Sequence, residues 1–402
     1  MKFPIIFRSR HESKIAQIER KIVSSRDRAK AVAKKNKLKL SKLKKECDDA
    51  WAHIAPLEKY IAPLEKHIEQ LQLEVSDVRA SRMKLLDEIT DLRLLAQQYS
   101  AAPIPVVIGI DVEPDKRTVD LADPSWRGAV RTFERLPEFR QMLQECSREK
   151  LVPLTWFPRA DPQVEIANGD AAWALKKIAD DWERARDAGD EIGLHMHPWR
   201  WDETNSRWCQ DHGDENWVIH CLHSAINTYR QCFGVPPTSY RGGDRFLNNL
   251  VVKTLEEEGV KVDLTLERMP SVERLAPSEH GTGMIPDGTS LLGHAYRASE
   301  KDFIQPAKEG SGGLGMLPLT AYEEGTLSPW LPNTIFEEEI ERLLKGNEAP
   351  THLAFVVRTD IAESSNWDHF VENALSLARR VRTGHLVFTT AGHAWEMAAP
   401  KT

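Results

Sequence analysis

Two histidines stand two residues apart in the stretch Glu191-Ile192-Gly193-Leu194-His195-Met196-His197-Pro198-Trp199, a short apolar run that breaks at a proline. Successive strand side chains point to opposite faces, so a strand here projects His195 and His197 to the same side. Two imidazoles on one face at a strand end make a ready bidentate site for a borderline metal such as Zn²⁺. Taken alone, His-x-His reads equally well as a pair of surface or core histidines. Three further apolar runs end in residues suited to chemistry. Residues 107–110 lead into Asp111-Val112-Glu113; 239–246 carry Arg241, Gly242, Gly243 and Asp244; 354–357 lead into Arg358-Thr359-Asp360. Two carboxylates at i and i+2 on an apolar strand cost stability unless paired or bound to metal. The glycines permit close backbone approach, and an arginine can orient a carboxylate. An N-cap or a salt bridge accounts for any one of these strand ends, but not for four in this order.

The elements that must position them alternate. Strands are expected at 106–110, 151–157, 191–197, 238–241, 260–266, 352–357 and 385–389. Helices are expected at 128–149, 169–188, 215–233, 246–258, 335–345 and 366–382, and a glycine-rich irregular stretch at 276–318. Such alternation implies an α/β fold with parallel strands, either a barrel or an open sheet. Ligands of both sit at the carboxyl ends of the strands.

The first hundred residues differ in kind. From Ile54 the heptad a/d series runs Ile54, Leu57, Ile61, Leu64, Ile68, Leu71, Val75, Val78, Arg82, Leu85, Ile89, Leu92, and only Arg82 is polar. That is a coiled-coil pattern, continued weakly backwards by Cys47, Leu43 and Leu40. Pro56 and Pro63 remove helix hydrogen bonds, so a kink or break is expected near 55–64. Isoleucine at a with leucine at d favours a parallel homodimer, although an intrachain hairpin fits the same pattern. Residues 1–50 hold sixteen Lys/Arg against six Asp/Glu in a chain of net charge −7, which leaves −17 elsewhere. The basic run at 26–45 suits contact with anionic lipid or polymer, or a solvated helix face. No aromatic residues interleave its lysines, which argues against a nucleic-acid partner. The organisation expected is a basic coiled-coil segment at 1–99, a linker at 100–105 and a catalytic domain at 106–397. Five scattered cysteines fit a reducing compartment. With no signal-like or membrane-spanning run in this sequence, a cytoplasmic location is expected.

The strand-end motifs resemble those of the polysaccharide deacetylases of the NodB-homology class, carbohydrate esterase family 4, over about residues 104–397. The acidic pair of the family's first motif is similar to Asp111 with Glu113. Its Gly-His-Glu-Ile-Gly segment followed by a ligand histidine is similar to 190–195, and its arginine motif to 240–246. The resemblance implies an irregular (β/α) barrel, usually seven-stranded, holding one divalent metal ion, zinc by preference. It implies removal of an acetyl group from a carbohydrate by metal-activated water. Glu113, His195 and His197 would be the ligands, Asp111 the general base and Arg241 its orienting partner; spacing leaves Asp111 and Glu113 interchangeable. Two departures stand out. The family's second ligand histidine would fall at Trp199, so His197 takes that role. The closing general-acid histidine aligns with Arg358, which stays protonated and could instead stabilise an oxyanion or bind an anionic sugar. His393 or Asp360 would then supply the proton. Trp199, Asp161 and Asp244 are candidates for the substrate pocket, with a structural role the alternative for each; His212, His220 and His223 are not expected to be ligands, and His280 and His294 are left open. The rival functions are a degenerate, carbohydrate-binding domain on a coiled-coil stalk, and a scaffold in which the coiled coil is the working part.

Overall fold

The computed structural model describes residues 58–96 and 102–400, apart from 269–292, 309, 324 and 347–348, together with some helical residues from 26 to 43. The chain divides into two compact units, Met1–Ser100 and Ala101–Thr402. In the first, one helix spans Glu58–Ala96. Leu71, Val75, Val78 and Leu85 are half-buried and Ile89 is buried, while Ile68 is exposed. The heptad positions Cys47, Ile54 and Leu57, and Pro56, lie outside the described residues. From Glu58 onward the helix is continuous through Pro63, so no break occurs in that part of 55–64. Among the described residues no helix is long and apolar enough to cross a membrane.

The second unit is α/β. Its strands are β1 (Ile104–Val112), β2 (Thr155–Pro158), β3 (Glu191–Ile192), β4 (Leu194–Met196), β5 (Trp199–Asp202), β6 (Arg207–Gln210), β7 (Ser239–Gly242) and β8 (Val262–Asp263). They continue as β9 (Tyr296–Arg297), β10 (Gly315–Met316), β11 (Ala321–Tyr322), β12 (Gly325–Thr326), β13 (Leu353–Arg358) and β14 (Leu386–Phe388). A curled parallel sheet follows the order β13, β1, β2, β3, then β4, β7, β8, β10. β3 and β4 are one strand interrupted at Gly193, whose N–H still donates to the Trp156 carbonyl at 2.7 Å. An Arg159–His195 bridge carries the ladder past the interruption. A Cβ at Gly193 would stand 2.4 Å from Ser239 Oγ and 2.8 Å from Phe157, so only glycine lets the strand cross here. The segment after β10 reaches β13: Thr320 N–H donates to the Ala354 carbonyl, and Ala354 N–H to Thr320 Oγ1, both at 2.9 Å.

Side-chain parity decides what this sheet encloses. Val106, Ile108, Ile110 and Val112 point outward into a core shared with the flanking helices, among them Arg127–Ser147, Glu215–Phe233 and Asn366–Arg382. Val107 points inward with Phe157, Val262, Leu264, Leu317, Ala354 and Val356. The same inward parity continues along β1 to Asp111 and past its end to Glu113, along β13 to Arg358, and along β7 to Arg241. The interior is therefore apolar at the amino ends of the strands and charged at the carboxyl ends. The helix Ala391–Ala398 closes the amino end, with Ala391, Ala394 and Trp395 in the inner cluster. Ala391 N–H donates to Thr155 Oγ1 and Gly392 N–H to Glu191, at the starts of β2 and β3.

Several sequence expectations shift. The helix expected at 169–188 is two, Trp173–Lys177 and Ala179–Asp187, preceded by Pro162–Asn168, which Asp161 caps through Gln163 N–H and Val164 N–H. The strand expected at 191–197 is split. The β5–β6 ribbon and the final helix have no counterpart in the sequence expectations, and the last two linker residues, Ile104 and Pro105, belong to β1. Part of the glycine-rich stretch, with His280, lies outside the described residues; the remainder contains β9 and β10.

Candidate active site

At the carboxyl ends of the strands, β1 delivers Asp111 and Glu113, β4 His195 and His197, β7 Arg241 and Asp244, and β13 Arg358 and Asp360. His195 Nε2 and His197 Nε2 are 3.0 Å apart, and Glu113 Oε2 lies 3.3 Å from the second and 3.9 Å from the first. All three residues are 3 % exposed or less. Among the described residues this is the one group of three or more His, Cys, Asp or Glu spaced to hold a metal ion.

The tautomers follow from the other ring nitrogens. His195 Nδ1 donates to the Arg241 carbonyl at 2.8 Å, and His197 Nδ1 donates to Asp244 Oδ2 at 2.9 Å. Both Nδ1 protons are thus committed, and both Nε2 lone pairs face the same point. Glu113 Oε2 is buried there without a hydrogen bond. Two lone pairs and a carboxylate oxygen converging in a buried space repel one another unless a cation or proton lies between them. The donor set fits a divalent first-row ion such as Zn²⁺.

Electrostatics agree with this assignment for Glu113 and His195. Burial raises the Glu113 pKa, but Arg358, His197 and His195 together outweigh it and hold the carboxyl well below its usual range. Its Oε1 forms an ion pair with Arg358 Nε at 2.5 Å. Burial pushes His195 down to about 4, against the pull of Asp111, so its ring is neutral. Burial and Arg159 lower His197, but Asp244 and Glu113 prevail and raise it.

Asp111 belongs to a separate couple. Arg241 Nε donates to Asp111 Oδ2 at 2.9 Å, while its Nη1 donates to the Leu264 carbonyl and its Nη2 to Glu267 Oε1 at 2.9 Å. The guanidinium is locked on three sides, and Asp111 Oδ1 is left buried without a partner. These groups open on a cleft of about 500 Å³, which Arg117, Arg245, Ser328, Trp330, Asp360 and Asn366 also line.

Backbone geometry seats the rings. A Cβ at Gly243 would stand 2.2 Å from His197 Cδ2 and Cγ. The two residues that follow, Asp244 and Arg245, adopt φ of 52° and 61°, a left-handed turn that aims the Asp244 carboxylate at His197.

Not every expected residue faces the cleft. Asp161 is fully buried; it receives the His197 backbone N–H at 2.9 Å and a two-pronged ion pair from Arg159 at 2.8 and 2.9 Å. It holds the His197 backbone and does not line the cleft. Trp199 is buried on β5, its indole nitrogen 3.2 Å from His197 Nδ1, and it does not line the cleft. His393 sits at the opposite, amino end of the strands, with its side chain 72 % exposed beside Glu396. That placement removes it from proton transfer in the cleft. His212 is buried against Phe246, and His220 and His223 lie on the helix Glu215–Phe233; none belongs to the ligand cluster.

Sequence reasoning missed Arg159 and Glu267. Arg159 Nη1 makes no hydrogen bond and lies 3.7 Å from Glu113 Oε2. Its signal was present: Arg159-Ala160-Asp161 closes an apolar strand as the other charged strand ends do. Glu267 follows β8 without any motif.

No family model matches the sequence, and no curated protein matches it. Among solved structures the chain is similar to a protein described as a polysaccharide deacetylase from Mycobacterium smegmatis, with 15 % identity, TM-score 0.45, and 74 % of this chain and 94 % of that one covered. It is similar to a protein described as a glycoside hydrolase/deacetylase from Parabacteroides distasonis, with 14 % identity, TM-score 0.48, and 74 % and 71 % covered. It is also similar to a family 4 carbohydrate esterase from Streptomyces lividans solved in complex with acetate, with 10 % identity, TM-score 0.31, and 70 % and 91 % covered.

Proposed function

We propose that the chain is a metal-dependent hydrolase that removes an acetyl group from a carbohydrate or glycoconjugate, on an irregular (β/α) barrel of the polysaccharide deacetylase type. One observation carries this reading: two histidine lone pairs and an orphaned carboxylate oxygen converge beside a carboxylate that an arginine locks in place. Glu113, His195 and His197 hold the ion. When bound, a divalent cation supplies a polarised acyl carbonyl and a water of lowered pKa. Asp111 takes the proton from the attacking water, and Arg241 orients its carboxylate through a hydrogen bond. Asp244 and the Arg241 carbonyl fix the imidazole tautomers. Asp360, lining the cleft after β13, returns a proton to the leaving nitrogen or oxygen; burial and nearby acids raise its pKa against the lowering by Arg358. Acetate and the free sugar amine or alcohol are the products. In this reading residues 1–99 form a stalk that joins two copies.

The test pairs metal content with chemistry. Wild-type protein carries near-stoichiometric first-row metal, and the His195→Ala/His197→Ala double variant loses it. Asp111→Asn keeps the metal and loses acetate release by a factor on the order of 10²–10⁴. Metal-free wild type after reloading would sink the proposal.

One observation favours a second reading, a sugar-binding domain without turnover. The Arg358 guanidinium pairs with Glu113 directly and neutralises it without any ion. Metal-independent sugar binding, unchanged in the double-histidine variant, would select that reading.

A further inference from the structure

The charges that face the cleft restrict what it can hold. Asp111 and Glu267 are bound by Arg241, Glu113 by Arg358, and Asp244 by His197. Two cations remain less committed. Arg117 lines the cleft with its side chain 55 % exposed and only a 3.4 Å contact to Asp244 Oδ1. Arg358 is 24 % exposed, its Nη1 is 3.7 Å from Asp360, and its Nη2 is buried without a hydrogen bond. A planar guanidinium fork matches the oxygens of a carboxylate or phosphate. Charge balance points the same way. Four arginines and five acids line the cleft, so a bound dication leaves it net positive by one charge. A neutral sugar gives these cations no counter-charge.

We infer that the substrate is an acylated sugar bearing an anionic group, a carboxylate or a phosphate, which Arg358 and Arg117 bind. This rests on the hydrolase reading for the acyl group but on the cleft charges for the anion. Arg358 has two jobs, holding Glu113 through Nε and meeting the substrate anion from the cleft. Arg117 reaches the anion from the side of Asp244.

Calorimetry on the metal-loaded full chain tests it, with Asp111→Asn as the background so that ligand is not consumed. The probes are N-acetylglucosamine, its 6-phosphate, and N-acetylmuramic acid, which carries a carboxylate; metal content is measured in every variant. The expected result is that at least one anionic sugar binds on the order of tenfold more tightly than the neutral one, a charge-assisted contact's usual share. Arg117→Ala and Arg358→Gln each reduce the ratio of anionic to neutral affinity, read at the metal content measured for each variant. Which anionic probe gains identifies the group. Equal affinities for all three sugars, no binding of any, or a preference that survives both substitutions overturns the inference. Acetate release is read separately on the wild type. A preference for anions without acetate release fails the hydrolase reading and leaves the anion site standing; acetate release with no preference does the reverse.

Discussion

Replacing Gly243 by alanine asks whether the metal site depends on one missing methyl group. Gly243 has an ordinary backbone conformation, so nothing forbids a side chain there except the space that His197 occupies. The added Cβ would sit 2.2 Å from the ring, whereas ordinary contact begins at 3.4 Å, so the imidazole must retreat by about 1.2 Å. It has nowhere to go cheaply. Its Nδ1 is held by Asp244 at 2.9 Å, its backbone N–H by Asp161 at 2.9 Å, and it is 2 % exposed. Ligand distances must hold to within about 0.2 Å for a working metal site. Gly243→Ala is therefore expected to weaken metal binding by more than the roughly 10–100-fold typical of losing a ligand's supporting partner. Overpacking costs a further ~1–3 kcal/mol of fold stability. Competition against a chromophoric chelator reads the first effect, and urea unfolding of the metal-free protein reads the second. Native metal affinity together with an unchanged unfolding midpoint would refute the steric reasoning.

Other expectations follow from the same geometry. Asp244→Ala frees the His197 tautomer and lowers metal affinity by about 10–100-fold in the same competition assay, with the fold retained by circular dichroism. His393→Ala leaves kcat/KM for acetate release unchanged, because the side chain is exposed at the far end of the strands; a large loss would restore it as the proton donor. Burial raises Asp263 to about 7, opposed by its bonds from Thr265. Its folded pKa lies above the unfolded value, so its contribution to stability is full below about pH 4 and is lost as pH rises toward 7. Asp263→Asn should gain stability relative to wild type as pH rises through that window, read as urea midpoints; parallel pH profiles would contradict the assignment.

Much of the site was legible because chemistry and period coincide at strand ends. Asp111 with Glu113, and His195 with His197, are i and i+2 pairs, and an alternating strand puts each pair on one side whatever the tertiary detail. Arg241 found Asp111 because a buried carboxylate beside an arginine is the arrangement that burial leaves open. The roles of Asp161 and Trp199 were not legible. Both sit next to strand-end motifs, as substrate-binding residues would, and only the packing shows them turned away from the cleft. His393 misled for a different reason. It follows a strand in sequence, yet β14 pairs with the start of β1, so the helix after it folds under the sheet. Strand pairing at that distance along the chain leaves no local mark. The helix Asn366–Arg382 was readable to the residue, whereas the split at 191–197 was not, since Gly193 looks like any strand glycine until Phe157 and Ser239 crowd it.

The proposed ligands come from strands far apart in the chain, Glu113 after β1 and the histidines at β4, and only the folded sheet brings them together. A cation with three protein ligands here has no comparable partner in the unfolded chain. Occupancy and melting are then thermodynamically linked, and each tenfold excess of free ion over its dissociation constant adds about 1.4 kcal/mol to the folded state. A thermal melt against buffered free metal is in effect a binding isotherm. It ranks candidate ions for this protein before any substrate is known.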